Sequence, residues 1–157
     1  LNAGNITNVH LNQMAVTSSP GMVTLNTFIP RFSGNNSIYQ FPFSKDFRPN
    51  QPTTVQSTSI DEYVNQNTLS PSLIKIDAEG ADYEILKGME VTLSRYKPVL
   101  SVEVGDRNIE GVPSSKALVL FLLEKGYQPY EYLDGSFVKH DLRDRYGYAD
   151  LFFLPES

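Results

Sequence analysis

Two short acidic segments carry the residues best suited to chemistry. Asp77 and Glu79 stand just before Gly80, and Glu103 stands before Gly105 and Asp106. Carboxylates brought together can act as a general base, with their pKa values pushed apart, or can hold a hard cation such as magnesium or calcium. The glycines allow sharp turns and leave room for a ligand beside the backbone. Each acid also has a plainer reading. Asp77 and Glu79 precede a predicted helix, where a carboxylate complements the helix dipole. Glu103 can pair with Lys75 across a sheet. Asp82 and Glu84 read as solvated helix surface.

The remaining polar side chains point less clearly to chemistry. His10 falls in a predicted strand and His140 in the charged stretch 139–145, and a lone histidine serves structure as readily as proton transfer. The tyrosines of the tail, Tyr127, Tyr130, Tyr132, Tyr146 and Tyr148, read as core and rim packing. No nucleophile elbow, phosphate-binding loop or zinc-ligand spacing is found in the sequence.

The elements that must position the acids follow from patterning. Residues 1–58 are rich in Asn, Ser, Thr and Pro, and predict brief strands at 10–16 and 22–25 joined by turns. The stretch 30–52 reads as a long loop of the kind that forms lids or binding loops. From Thr54 the pattern changes to alternating strands and helices. Residues 54–58 predict a strand, and Ser59 with Glu62 forms a capping box for a helix through Asn67. Leu73–Ile76 predicts a buried strand ending at Asp77. A helix follows from about Ala81 to Arg95, with Ala81, Ile85, Leu86, Met89 and Leu93 on one apolar stripe. Pro98–Val104 is the next strand, Ser114 and Ser115 cap a helix that stops at Gly126, and 127–133 and 149–154 are strands. Such a series implies a parallel, doubly wound α/β sheet with right-handed crossovers and helices on both faces. Ligands in these sheets bind at the carboxyl ends of the strands, where Asp77 and Glu103 fall.

Composition bounds the rest. The 157 residues suit a single domain, 1–157, made of a strand and loop region (1–58) and an α/β region (59–157). Hydrophobic residues at 40% supply a core, and a net charge of −5 argues against binding a nucleic-acid backbone. No apolar run reaches the roughly 18 residues of a membrane span. The amino terminus lacks a basic flank followed by an apolar core, so a signal peptide is not expected. The lack of cysteine excludes disulfides and thiolate sites and favours a cytoplasmic setting.

The run Leu73-Ile74-Lys75-Ile76-Asp77-Ala78-Glu79-Gly80, continuing to Leu86-Lys87-Gly88, resembles the FkbM methyltransferase family. That family carries a lysine-isoleucine-aspartate-x-glutamate-glycine block and a helix ending in leucine-lysine-glycine. Lys97–Gly105 resembles the family's next strand, and Thr58–Tyr63 the segment before the block. Asn8 through Val16, with Gly21 and Leu25, resembles its third strand and sequel. The resemblance implies a Rossmann-like fold and transfer of a methyl group from S-adenosylmethionine to a hydroxyl of a sugar, glycolipid or natural product. It makes Asp77 the candidate base or positioning residue, with Glu79 and Glu103 shaping the same rim. Met14, Ala15 and Asp77 become candidates for cofactor contact, although Met14 lacks the acid often found at its position. The glycine-rich loop and ribose-binding acid of the family are absent from residues 1–58, so the cofactor is expected to rely largely on residues upstream. The sheet is then expected to be incomplete on its amino-terminal side, with an open edge at 73–76 that a second copy can cover. The expected partner is a small-molecule or carbohydrate acceptor. Two other readings stand beside this one: a non-catalytic interaction module derived from the fold, and a divalent-metal enzyme using Asp77, Glu79, Glu103 and Asp106.

Overall fold

The computed structural model describes residues 7–40 and 51–156. Its centre is a five-stranded sheet built from β4 (Leu73–Ile76), β5 (Val99–Val104), β6 (Tyr127–Leu133), β7 (Ser136–Lys139) and β8 (Ala149–Pro155), in the order β4-β5-β8-β6-β7. β4 and β5 are parallel, with Ile76 beside Val102. β8 is antiparallel to both β5 and β6, and β7 is the second arm of a hairpin turning at Asp134-Gly135. The all-parallel expectation therefore holds only for β4 and β5. β8 enters the gap between β5 and β6 from the opposite end, which reverses two of the pairings. β7 carries no apolar alternation distinct from its surroundings and was not anticipated.

Strand alternation divides this sheet into two faces. One face carries Ile76, Leu100, Val102, Val104, Leu151, Phe153 and Tyr127, all buried. They pack against Ile85 and Leu86 of α2 (Asp82–Lys87), Leu93 of α3 (Glu90–Tyr96), and Leu118, Val119 and Leu122 of α4 (Ser115–Glu124). Removing each large side chain of this kind from water contributes about 1.5–3 kcal/mol. On the opposite face Leu73, Lys75, Asp150, Tyr132 and Phe137 are exposed. Helices on both faces were expected. Among the described residues the apolar stripes of α2, α3 and α4 all enter a single cluster instead. The reason is topological: β4, β5 and β6 are laid down in one direction across the sheet, so their right-handed crossovers fall on the same side.

The amino-terminal residues form a separate three-stranded sheet, β1 (Ala15–Val16), β2 (Gly21–Leu25) and β3 (Thr53–Thr58), in the order β1-β3-β2. The first strand is shorter than expected, and His10 lies exposed outside any element. Pro30–Asn35 is a 3-10 helix, which the loop reading missed, and residues 41–50 of that loop lie outside the described residues. Among the described residues β4 has no strand beyond it, so its outer edge is open, as the sequence led us to expect. The first sheet is tied to the helices by α1 (Ile60–Gln66), which Ser59 caps by accepting the Glu62 amide.

The helix expected from 81 to 95 is broken at Gly88 into α2 and α3. Asp61 caps the second piece, accepting from the amides of Val91 and Thr92 at 3.0 and 2.7 Å and from the Thr92 hydroxyl at 2.6 Å.

Candidate functional site

Register alone brings the acids together. Lys75 is level with Ser101 and Ile76 with Val102, so Asp77 leaves β4 beside Glu103, one residue before the end of β5. Oxygens of Asp77, Glu79 and Glu103 lie within 4.8 Å of one another. The three acids named from sequence thus share one rim at the carboxyl ends of the parallel strands.

The turn carrying Glu79 is held against its own preference. Glu79 has φ +50° and Gly80 φ +94°, and a non-glycine residue in this region costs about 1–3 kcal/mol. Asp82 offsets that cost, its carboxylate accepting from the amides of Ala78 at 3.0 Å and Gly80 at 3.1 Å. Asp82 is therefore buried and structural, contrary to its reading as solvated surface. The N-cap position of α2 is Ala81, which makes no side-chain cap. Ser37, bridged to Asn26 just past β2, braces the turn by donating to the Glu79 carbonyl at 2.7 Å.

Two residues of the site were missed. Arg107 donates from Nη1 to Glu79 Oε2 at 2.6 Å and from Nη2 to Glu103 Oε2. Tyr148 donates its hydroxyl to Glu103 Oε1 and presents its ring to the Arg107 guanidinium, 5.7 Å from Cζ. Glu103 thus bonds Arg107 and not Lys75, the alternative partner the sequence offered. Lys75 turns to Asp77 at 3.0 Å, with Asp150 at 3.9 Å. Arg107 was legible in part, because a cation four residues past Glu103 sits next to the strand end. Tyr148 was not, because only the antiparallel course of β8 brings it near.

These contacts set the electrostatics. Burial holds the Glu79 carboxyl above its ordinary value, with Arg107 pulling the other way. Its hydrogen bond to Glu103, with burial and the same negative charge adding, pushes the Tyr148 hydroxyl up to about 12. Asp106 faces elsewhere: it accepts from the amides of Tyr146 and Ser115, each at 2.9 Å, and those bonds keep it ionised below the usual range. Asp106 is a brace and not a fourth acid of the rim. His140 is buried, with Nδ1 2.5 Å from Glu131 and Nε2 3.2 Å from the Tyr146 hydroxyl.

Between the first sheet and β4 lies a cavity of about 280 Å³, lined by apolar Ala15, Val16, Ile76 and Ile85 and by polar Asn36, Ser37, Lys75 and Asp77. Ala15 and Asp77, both singled out for cofactor contact, meet there, whereas Met14 is exposed and outside the lining. Residues 3–129 match the Methyltransferase FkbM domain. The chain belongs to the FkbM methyltransferase domain family. The crystal structure of methyltransferase FkbM from Methylobacillus flagellatus KT is similar at 17% identity and a TM-score of 0.49, over 94% of this chain and 30% of that one. This chain thus spans about 30% of the length of that FkbM protein. No curated protein matches. Among the described residues, no helix of this FkbM domain is long and apolar enough to cross a membrane.

Proposed function

We propose that this FkbM domain serves S-adenosylmethionine-dependent O-methylation of a small-molecule or carbohydrate acceptor, on a Rossmann-like sheet. The observation that carries the proposal is the meeting of Asp77, Glu79 and Glu103 at the carboxyl ends of β4 and β5, beside a cavity that Asp77 shares with Ala15. Strand carboxyl ends are where α/β sheets of this kind bind ligands. The cavity offers the cofactor apolar walls from Ala15, Val16, Ile76 and Ile85, with Asn36 and Asp77 to meet polar atoms and the charge of Lys75, also in the lining, taken up by Asp77. These residues would meet part of it.

S-adenosylmethionine supplies, when bound, a methyl group on a positively charged sulfur. The chain's own part is to orient the acceptor hydroxyl, keep the rim negative and take up the hydroxyl proton. Asp77 is the acid best placed to take it. Its side chain is 43% exposed, so an acceptor can reach it, and its bond to the equally open Lys75 is weak enough to yield. Glu103, 6% exposed and bonded through both oxygens, positions the rim instead.

The test uses the protein that contains this chain, supplied with methyl-labelled S-adenosylmethionine and a panel of sugars, glycolipids and hydroxylated natural products. Label recovered as an ether on an acceptor supports the reading. No label in any acceptor, with unmoved Ala15 and Ala78 amide resonances on adding the cofactor, overturns it in favour of a non-catalytic module.

A further inference from the structure

Three carboxylates whose oxygens lie within 4.8 Å of one another make a set of the kind that can hold a divalent ion. Here a side chain is already in that place. Arg107 spreads its two terminal nitrogens across Glu79 and Glu103, and its side chain is only 18% exposed. Tyr148 takes the second oxygen of Glu103, and Lys75 takes Asp77. We propose that Arg107 is the resident cation of this rim, a positioning residue that makes the site work without a divalent metal.

The fit favours guanidinium over a metal ion. A planar guanidinium can bridge two carboxylates, one from each terminal nitrogen, and is weakly hydrated, so it is at home in a partly buried site. Magnesium demands close octahedral oxygens and keeps several waters. To enter, a metal would have to evict Arg107 from both acids and break the Tyr148 bond. The stem of Arg107 is also seated, since a Cβ built on Gly80 would lie 3.7 Å from its Cδ.

What this does for the reaction rests on the methyltransferase reading. Methyl transfer cancels the positive charge on sulfur: the S–CH3 bond breaks, an O–CH3 bond forms, and the hydroxyl proton goes to a carboxylate. A rim with three uncompensated negative charges would favour the cationic ground state over the transition state, in which that charge is fading. Arg107 and Lys75 against three acids leave one net negative charge. The rim then keeps an attraction for the sulfonium without trapping it.

Manganese binding, followed by its electron paramagnetic resonance signal, tests the charge argument with no reaction involved. The wild-type protein should bind no stoichiometric Mn2+ at millimolar concentration, and Arg107→Lys should behave the same. Arg107→Ala and Arg107→Gln should gain one site, roughly tenfold tighter or more than any wild-type binding, because freed carboxylates raise the ligand charge. Adding Glu103→Gln to either should abolish that site. Mn2+ binding by the wild type that Glu103→Gln removes would overturn the proposal. So would a folded Arg107→Ala or Arg107→Gln protein that still takes no Mn2+. Failure of the labelled-methyl assay would instead count against the methyltransferase reading and leave this result standing.

Discussion

Gly88 packs against the backbone of Thr17 so closely that a Cβ at residue 88 would lie 2.4 Å from the Thr17 carbonyl oxygen. The same Cβ would meet Ser18 Cα at 3.0 Å and Ser59 Cβ at 3.1 Å. The contact joins the small first sheet to the junction of α2 and α3. Neither side can give way cheaply, because the opposing atoms are mostly backbone. Gly88 has φ −84°, so its value lies in space and not in conformational freedom. Gly88→Ala should therefore destabilise the protein by about 1–3 kcal/mol, the usual cost of overpacking. Urea unfolding followed by circular dichroism checks this; an unchanged midpoint would mean that the two parts are not tightly joined.

Asp82 should matter to the site without touching a substrate. Its carboxylate satisfies two amides of the turn that holds Glu79 at positive φ. Asp82→Ala leaves those buried donors unpaired and should cost about 1–3 kcal/mol. Asp82→Asn keeps one accepting oxygen and should cost less. Amide hydrogen exchange at Ala78 and Gly80 should speed up in both, more in the alanine variant. Exchange rates like those of the wild type would show the turn to be held by other contacts.

The parts legible in the sequence are those decided locally. Ser59 with Glu62 announced α1, Ser114 announced α4, and the apolar runs Leu73–Ile76 and Val99–Val104 announced β4 and β5. The acid trio followed because parallel register forces Asp77 beside Glu103. What sequence hid depends on distant partners. The break falls at Gly88, where the chain packs on Thr17, and Asp82 is buried where its carboxylate serves the strained turn ahead of it. Tyr148 reaches Glu103 only because β8 runs antiparallel beside β5. Local charge patterning paired Lys75 with Glu103, but the fold provides Arg107 as a better-placed cation for that carboxylate.

Asp106 gives the fold an acid-sensitive brace. It accepts the amides of Tyr146 and Ser115, and its own amide donates to the Tyr146 carbonyl at 3.1 Å. The Tyr146 amide leads the effects that lower its pKa from the ordinary 3.8. A carboxyl with a depressed folded pKa stabilises the fold above its unfolded value, and that stability is lost as pH falls through the folded one. Melting temperature should thus drop below about pH 4 in the wild type. Asp106→Asn should be less stable at pH 7 and should show a shallower decline in acid. Parallel pH profiles for the two proteins would exclude Asp106 as a source of the acid sensitivity.

Asp77 is where the methyltransferase reading is most exposed to test. Its side chain is open to solvent, its ion-pair partner Lys75 is equally open, and it caps no helix. Exposed pairs of this kind contribute about 0–1 kcal/mol, so Asp77→Asn should leave the melting temperature nearly unchanged. If Asp77 takes the acceptor's proton, the same change should lower turnover of the protein containing this chain by about a hundredfold or more. The loss should appear in kcat, because an amide of the same shape still fills the cavity wall but cannot accept the proton. Lys75→Met removes the partner and one cation of the rim but leaves the carboxylate, so it should lower kcat by much less than Asp77→Asn. A variant Asp77→Asn with full turnover and a lowered melting temperature would reverse the assignment, making Asp77 a structural residue and leaving proton removal to Glu79.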